Sequence, residues 1–217
     1  LEDLRICHYK NKLWFTATST HAGPSMNSEV AVGYFNNTHT RIEKISYIPL
    51  GKPPIKNICP FVYKSKLCLF DIYKKIIYEV VDKNLKPLTD DTKEFSTKVL
   101  KNITCGNDLD IENFRGSTSP IHLHGNLYGC LVHDIIFNDS TQQVTQLAYM
   151  YHWIEIDMEL GLVTYVSSPF WATTFGVEFI SGMHLDNSNE NVELYIGLQD
   201  KSAIKYVTTL SLLRSGK

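Results

Sequence analysis

The chain reads Phe61-Val-Tyr-Lys-Ser-Lys-Leu-Cys-Leu-Phe70, in which two apolar runs flank the polar triplet at 64–66. Two apolar runs joined by a short polar turn are typical of a β-hairpin. The same pattern surrounds three further polar segments, at residues 10–12, 124–126 and 186–191. We therefore expect four hairpins. Their recurrence every roughly 50–65 residues is typical of a repeated β architecture, of which the propeller is the common form.

Further strand-like segments, rich in β-branched and aromatic residues, follow each hairpin. They lie at residues 29–35, 42–48, 75–81, 149–156, 162–166 and 204–210. No segment keeps its apolar residues at helical spacing for three turns, so we predict no helix. Residues 1–217 are therefore expected to form a single all-β, propeller-like domain of four to five blades, or an incomplete five-bladed propeller. Because Leu1 is not a start methionine and the first hairpin begins at once, we expect a fragment of a longer chain.

The charge balance excludes some classes of function. The 217 residues hold 21 Lys and Arg against 23 Asp and Glu, and the basic residues are scattered. Nucleic acid is therefore not an expected partner. No apolar stretch approaches the roughly 18 residues that cross a bilayer, so no membrane span is predicted.

The five cysteines form no C-x-x-C pair, and their number is odd. We expect buried thiols in a reducing compartment, and hence a cytoplasmic location. Three N-x-S/T sequons occur at about the chance frequency and leave a secretory compartment open. His122 and His124 share one strand face without a third ligand at matching spacing, so neither a metal nor another cofactor is predicted.

Polar residues recur at the strand ends that lie away from the hairpin turns. The residues just before the first hairpin strands, with two nearby arginines, are Glu2, Asp3, Arg5, Asn57, Arg115, Ser117 and Glu178. The residues that end the second strands are Thr18, Asp71, His133 with Asp134, and Gln199 with Asp200. In a propeller these ends meet at the mouth of the channel, so we expect these side chains to surround one central depression. Convergent carboxylates in a cleft are what glycoside chemistry uses.

Some of these residues also have a structural interpretation. Asp3 and Arg5 point the same way on a regular strand and could form a salt bridge. Arg115 could bind an anion or sugar, or cap the carbonyl groups of a neighbouring strand. Adjacent residues on a strand face opposite sides, so His133 and Asp134 cannot both line one pocket without a bulge.

Three further positions keep two interpretations open. His152, between two aromatic residues, is either a hydrogen-bonded core histidine or a channel residue. Glu178 stands in an apolar setting, which favours a functional carboxylate. Asp200 follows a strand end and is either a sugar ligand or a turn acid. Trp171, in a loop, is the tryptophan that we expect to be exposed.

Two segments resemble the inverting mannoside phosphorylases and related five-bladed propeller glycosidases. Leu1-Glu-Asp-Leu-Arg-Ile6, with Phe15-Thr-Ala-Thr18, is similar to their E-D-P-R-I…Y-T-A segment. Gly116-Ser-Thr-Ser-Pro-Ile121, with the following Leu127 to His133, is similar to their G-x-T-P-P-I…Y-H-G stretch. The resemblance implies a sugar-active propeller.

A propeller-like module joined to glycosyltransferases in large DNA viruses and some bacteria is a closer match. Its motifs are L-E-D-x-R, K-N-W-x-x-F, R-G-S-T, C-x-V-H, Y-Y-H-x-x-V-x-L-D and V-E-[FY]. The matching segments here, in the same order, are Leu1–Arg5, Lys56–Phe61, Arg115–Thr118, Cys130–His133, Met150–Asp157 and Val177–Phe179. The resemblance implies a viral-type, glycosyltransferase-associated domain, and a glycosyltransferase domain in the same polypeptide.

The resemblance also assigns roles to residues. The Asp of E-D-P-R is the general acid of the phosphorylases, which corresponds to Asp3, and their anion ligands correspond to His133 and Arg115. Asp3 and Glu178 form the predicted catalytic pair. The predicted sugar ligands are Glu2, Arg5, Asn57, Arg115, Ser117, His133, His152 and Asp200. Two departures stand out, since Leu4 replaces the Pro and Asp134 replaces the Gly of Y-H-G. The alternative is a non-catalytic module that binds a glycan or a partner.

Overall fold

The computed structural model describes residues 2–19, 29–48, 50, 57–82, 95–106, 109–137, 147–173, 178–188, 190–198 and 201–216. These residues form four mainly antiparallel sheets and one short helix, so the fold is all-β and propeller-like, as predicted. The chain divides into two compact units, Leu1–Asn102 and Ile103–Lys217, and each holds two of the sheets.

Unit 1 contains two four-stranded antiparallel sheets, and the strands of each follow one another in chain order. The strands of the first sheet are β1 (Glu2–Tyr9), β2 (Lys12–Ser19), β3 (Glu29–Phe35) and β4 (Ile42–Ile48). Those of the second are β5 (Cys59–Tyr63), β6 (Lys66–Asp71), β7 (Ile76–Asp82) and β8 (Phe95–Asn102). Aromatic packing joins the two sheets, since the Trp14 ring lies 5.1 Å from Phe95. The Thr16 hydroxyl also donates to the carbonyl of Ile58 at 2.6 Å.

Unit 2 contains a six-stranded and a three-stranded sheet. The larger sheet comprises β9 (Thr104–Cys105), β10 (Arg115–Gly116), β11 (Ile121–His124), β12 (Leu127–Phe137), β13 (Leu147–Asp157) and β14 (Leu162–Val166). The smaller comprises β15 (Glu178–Leu185), β16 (Asn191–Leu198) and β17 (Ser202–Thr209). The buried Tyr151 joins them, because its hydroxyl donates to the Glu178 carbonyl at 2.6 Å and accepts from the Ile180 N–H at 3.1 Å.

The four predicted hairpins are confirmed, with turns between β1 and β2, β5 and β6, β11 and β12, and β15 and β16. Two of the turns are tight and hold two consecutive residues at positive φ, Lys10-Asn11 (49° and 58°) and Lys64-Ser65 (46° and 60°). That geometry matches the right-handed twist of the flanking strands, and here it is reached without glycine.

The prediction of no helix is wrong for residues Leu210–Ser215, which form a short helix, α1. The predicted strand 204–210 therefore ends one residue early, at Thr209, whose side chain accepts a hydrogen bond from the N–H of Leu212. Gly216 ends the helix with φ 67°, a left-handed conformation that glycine adopts readily. Six residues are too few to show three turns of helical periodicity. Among the described residues, no helix has both the length and the apolar character that crossing a membrane requires.

Candidate functional site

In unit 1, polar side chains are buried at the strand ends that the sequence indicates. Glu2 pairs with Thr18 at one end of the β1–β2 hairpin. Cys59 pairs with Phe70, so that Asn57 and Asp71 lie at the corresponding end of the β5–β6 hairpin. Asn57 is 8% exposed and Asp71 is 3% exposed. Both hairpins thus bury polar groups at the same end.

The backbone is strained at two matching positions of the repeat. Asp3 has φ 56° and Asn57 has φ 60°, in the left-handed region that non-glycine residues enter at a cost of about 1 kcal/mol or more. At Asp3 the strain accompanies a register shift between Glu2 and Arg5. The bulge breaks the regular alternation on which the alternative of an Asp3–Arg5 salt bridge rests. It leaves Asp3 half-buried and Arg5 fully buried.

Arg5, Asp3 and Asp71 lie around the thiol of Cys59. Burial raises the pKa of Cys59 to about 11, and the nearby Arg5 opposes this rise through its charge and a hydrogen bond. The carboxylates of Asp71 and Asp3 add to the rise. Arg5 also donates from Nη1 to the carbonyl of Leu4 at 3.1 Å. We call Asp3, Arg5, Asn57, Cys59 and Asp71 the unit 1 polar cluster.

Two acceptor atoms of this cluster are buried without a hydrogen bond among the described residues, Oδ1 of Asn57 and Oδ2 of Asp71. The other carboxylate oxygen of Asp71 accepts the N–H of Lys74 at 3.0 Å. Burial raises the pKa of Asp71, against the effect of the Lys74 N–H and charge. Asp71 was not among the predicted sugar ligands. Its place at the end of β6, equivalent to Thr18 and His133, was the signal that could have added it.

In unit 2, Ser117 and His133 form a buried hydrogen-bonded pair. Arg115 pairs with His133 across β10 and β12, and the Ser117 hydroxyl lies 2.7 Å from His133 Nδ1. Ser117 is 0% and His133 is 1% exposed. The rings of Tyr149 and Phe179 meet the imidazole edge-on at 4.9 and 5.5 Å. His133 is thus enclosed by polar and aromatic groups of the core.

His152 and Asp134 line an open cavity of about 250 Å³ in the same unit. The other lining residues are Asp110, Glu112, Asn113, Phe114, Val166 and Ser167. His152 Nδ1 lies 3.1 Å from the carbonyl oxygen of Ser167, and its ring packs 4.7 Å from that of Phe114. Because a carbonyl oxygen only accepts, Nδ1 is the donor in this hydrogen bond. His133 and Asp134 thus have different surroundings, the core and the cavity.

Glu178, at the start of β15, is held by a neighbouring loop. Its side chain is 4% exposed, and Oε2 accepts the N–H of Thr173 at 2.9 Å. The Thr173 hydroxyl donates to Oε1. The carboxylate therefore has donors supplied by its own unit, which the apolar neighbours in the sequence did not indicate.

Some predictions extend beyond what the structure describes. Asp200 and the side chain of Glu2 lie outside the described residues. The convergence of all the named residues on one depression stays a prediction, since they belong to different units.

Other predicted features can be located. His122 and His124 are both exposed, and His122 Nε2 lies 2.9 Å from the carbonyl oxygen of Gly125. Within the described ranges, no group of three or more His, Cys, Asp or Glu side chains could hold a metal ion. Cys59, Cys68 and Cys130 are buried, whereas Cys7 and Cys105 are half-buried. Trp171 is 38% exposed, in line with its predicted position.

Comparison with known structures places the fold. One similar structure is that of a mannose phosphorylase from Leishmania mexicana, solved with a phosphate ion. The match covers 100% of this chain and 70% of the phosphorylase chain, at TM-score 0.60 and 14% identity. The match to a GDP-Man-dependent mannosyltransferase from the same organism covers 100% of this chain and 71% of the mannosyltransferase chain, at TM-score 0.59 and 14% identity. The match to the α-L-arabinanase of Cellvibrio cellulosa covers 95% of this chain and 71% of the arabinanase chain, at TM-score 0.51 and 8% identity.

The chain shares the fold of these carbohydrate-active enzymes. The similarity to mannoside phosphorylases and propeller glycosidases that the motifs indicated is thereby confirmed, as a distant similarity of fold. No family model matches the sequence, and no curated protein sequence matches it either.

Proposed function

We propose that this chain is a carbohydrate-active domain with a glycosidase- or phosphorylase-like sugar site, joined in its natural polypeptide to a glycosyltransferase domain. The observation that carries the proposal is the repeated burial of polar side chains at equivalent strand ends. These side chains are Thr18, Asn57, Asp71, Ser117, His133 and Glu178. Burying polar groups is costly, and a purely structural repeat would place apolar residues there. The enzymes that share the fold include a mannose phosphorylase and an arabinanase.

In this proposal Asp3 is the proton donor and Glu178 the second carboxylate. Asp3 is half-buried on a strained bulge, which sets it apart from an ordinary strand residue. The residues that bind the sugar are Glu2, Arg5, Asn57, Arg115, Ser117, His133, His152 and Asp200. The volume of the cavity beside His152, about 250 Å³, is just below the roughly 300–1,000 Å³ typical of small-molecule pockets. The cavity therefore suits a single sugar ring.

The surroundings of His133 favour water over phosphate as the acceptor. His133 is buried and hydrogen-bonded to Ser117. The adjacent Asp134 adds a negative charge, which repels a free phosphate. Hydrolysis needs no anion site, so it fits these residues better than phosphorolysis does.

A non-catalytic glycan-binding module is the second candidate. The observation that favours it is the Glu178 carboxylate, which accepts two hydrogen bonds from Thr173. A carboxylate held in this way is positioned to accept hydrogen bonds from sugar hydroxyls, which binding alone requires.

The test is Asp3→Asn, assayed for turnover of mannosides and glucosides and for affinity by calorimetry. If Asp3 is the proton donor, turnover falls by about 10²-fold or more, because only the transition state needs the proton. Affinity stays within about tenfold, because the amide still hydrogen-bonds the sugar. Glu43→Gln is the control, since Glu43 is an exposed partner of Lys12, and it leaves both quantities unchanged.

The other outcomes separate the alternatives. Sugar binding without any product in the wild type, with and without phosphate, supports the recognition module over the enzyme. Loss of thermal stability in Asp3→Asn, with no sugar bound by the wild type, overturns the proposal and assigns Asp3 a structural role.

A further inference from the structure

The three-stranded sheet of unit 2 has an open outer edge. Each sheet of unit 1 has four strands, whereas this sheet ends at β17. β17 pairs with β16 over all eight residues, from Ser202 to Thr209. Among the described residues, no strand pairs with its other edge. Within these residues, β17 therefore presents eight residues of unpaired backbone edge, which is a template for pairing with another strand.

β17 is also exposed on both of its faces. Ile204 is 36%, Tyr206 46% and Val207 54% exposed. Ile204 and Tyr206 pair with Ile196 and Leu194, which are 1% and 2% exposed. Paired residues lie on the same face of a sheet, so the apolar core face continues onto β17 and remains uncovered there.

The outer strands of the other sheets, β4, β8 and β14, have features that prevent edge pairing. β17 lacks these features. Register shifts interrupt the pairing of β4, β8 and β14 with their neighbours, and β9 covers the far edge of β14. Charges also protect β4 and β8, for example Glu43 and Lys98. β17 is paired without a shift and carries a single charge, Lys205, which Glu193 neutralises at 2.9 Å.

We propose that β17 pairs antiparallel with β17 of a second copy of this chain, about a two-fold axis at Tyr206. In this register Tyr206 faces its own copy, Ile204 faces Thr208, and Lys205 faces Val207. Each pair keeps to one face of the sheet, as a two-fold axis perpendicular to the sheet requires. An axis at Lys205 would set two like charges opposite each other, which is unfavourable. The paired sheets form one continuous six-stranded sheet, and the proposal does not depend on sugar binding.

The sequence of β17 favours a second copy over a charged partner strand. Its only charge is already neutralised within the same sheet, so two copies meet without repulsion. The lysines of β8, Lys98 and Lys101, would repel their own copies in the same arrangement. Apolar and β-branched residues, by contrast, are the ones that stabilise cross-strand pairs.

Sedimentation velocity over a range of protein concentrations tests the proposal. We expect the wild type to form a dimer and Val207→Lys to weaken the dimer at least tenfold, because it adds charge at the new interface. Val99→Lys is the matched control, because Val99 is 56% exposed on the bulged outer strand β8. It should dimerise like the wild type, and circular dichroism verifies that both variants fold.

A wild type that is monomeric at every concentration overturns the proposal. So does a dimer that Val207→Lys leaves unchanged, or one that Val99→Lys weakens equally. Tyr206→Lys gives a second measure, because it places two like charges together on the axis and should abolish the dimer.

Discussion

Asp71 brings a carboxyl group into the interior of unit 1 and leaves one of its oxygens without a hydrogen bond among the described residues. Burial raises its pKa, which means that the folded state disfavours the charged form. A residue retained at a cost in stability is a candidate for function. This cost can be measured without knowing the ligand.

We predict that Asp71→Asn increases the free energy of unfolding at neutral pH. The amide has no charge to desolvate, and its oxygen can still accept the Lys74 N–H. In the wild type, burying the ionised Asp71 lowers the free energy of unfolding. Because its pKa is raised in the folded state, this cost is complete above the folded-state pKa and absent below the ordinary pKa of about 3.9. The advantage of Asp71→Asn should therefore shrink as the pH falls to about 4, in urea unfolding at a series of pH values.

Asp186→Asn is the control with the opposite sign. Hydrogen bonds from Ser188 and Asn191 lower the pKa of the half-buried Asp186 to about 2. The ionised carboxylate therefore stabilises the fold above the ordinary pKa, and this contribution is lost as the pH falls through about 2. Asp186→Asn should be less stable than the wild type at neutral pH. If Asp71→Asn behaves in the same way, burial of Asp71 is not costly and the inference about it is wrong.

At the level of single residues, the sequence indicates which buried positions are polar but not which groups form hydrogen bonds with them. The alignment of the hairpins leads to Asn57, Ser117 and Glu178, and all three are buried. The sequence does not show that Thr173 binds Glu178 or that a bulge shifts Asp3, because these features depend on loop geometry.

At the level of elements, close packing on a glycine fixes the centre of the large sheet of unit 2. A Cβ atom at Gly129, on β12, would lie 2.1 Å from the ring of Trp153 on β13. Trp153 is fully buried and has little room to move. The ring is also held by a hydrogen bond that its Nε1 donates to the Glu155 carboxylate at 3.0 Å. The glycine is thus required by the neighbouring strand.

We predict that Gly129→Ala lowers the free energy of unfolding by about 1–3 kcal/mol, the usual cost of overpacking a core. Gly106→Ala is the control, because a Cβ atom there has no neighbour within 4 Å. Chemical denaturation of both variants measures the difference. Equal stability of the two would show that the Trp153 ring can move aside, contrary to the packing described.

Short polar turns make the hairpins predictable, because the strands on both sides are apolar and the turns are tight. The predicted strands 29–35, 42–48 and 162–166 coincide with the observed ones. The helix α1 could not be predicted from periodicity, since its six residues make fewer than two turns. Its ends depend on Thr209 and Gly216, which become informative only once the helix is known.

At the level of the whole molecule, repetition rather than sequence identity indicates the fold. The structures that share it are only 8–14% identical to this chain. Hairpins survive such divergence because they need a pattern of apolar residues and not particular residues. Sites do not survive in the same way, so the proposal of a sugar site rests on the buried polar groups of this chain.

The central claim is that these polar groups bind a sugar, and a titration followed by nuclear magnetic resonance tests it most directly. Mannosides and glucosides are added to the isotope-labelled protein, and backbone amide shifts are followed to saturation. We predict saturable shifts at Asp3, Arg5 and Asn57, or around the cavity of Asp134 and His152, with at least one sugar. No saturable shift with any of them, or shifts confined to surfaces away from these residues, would contradict the account.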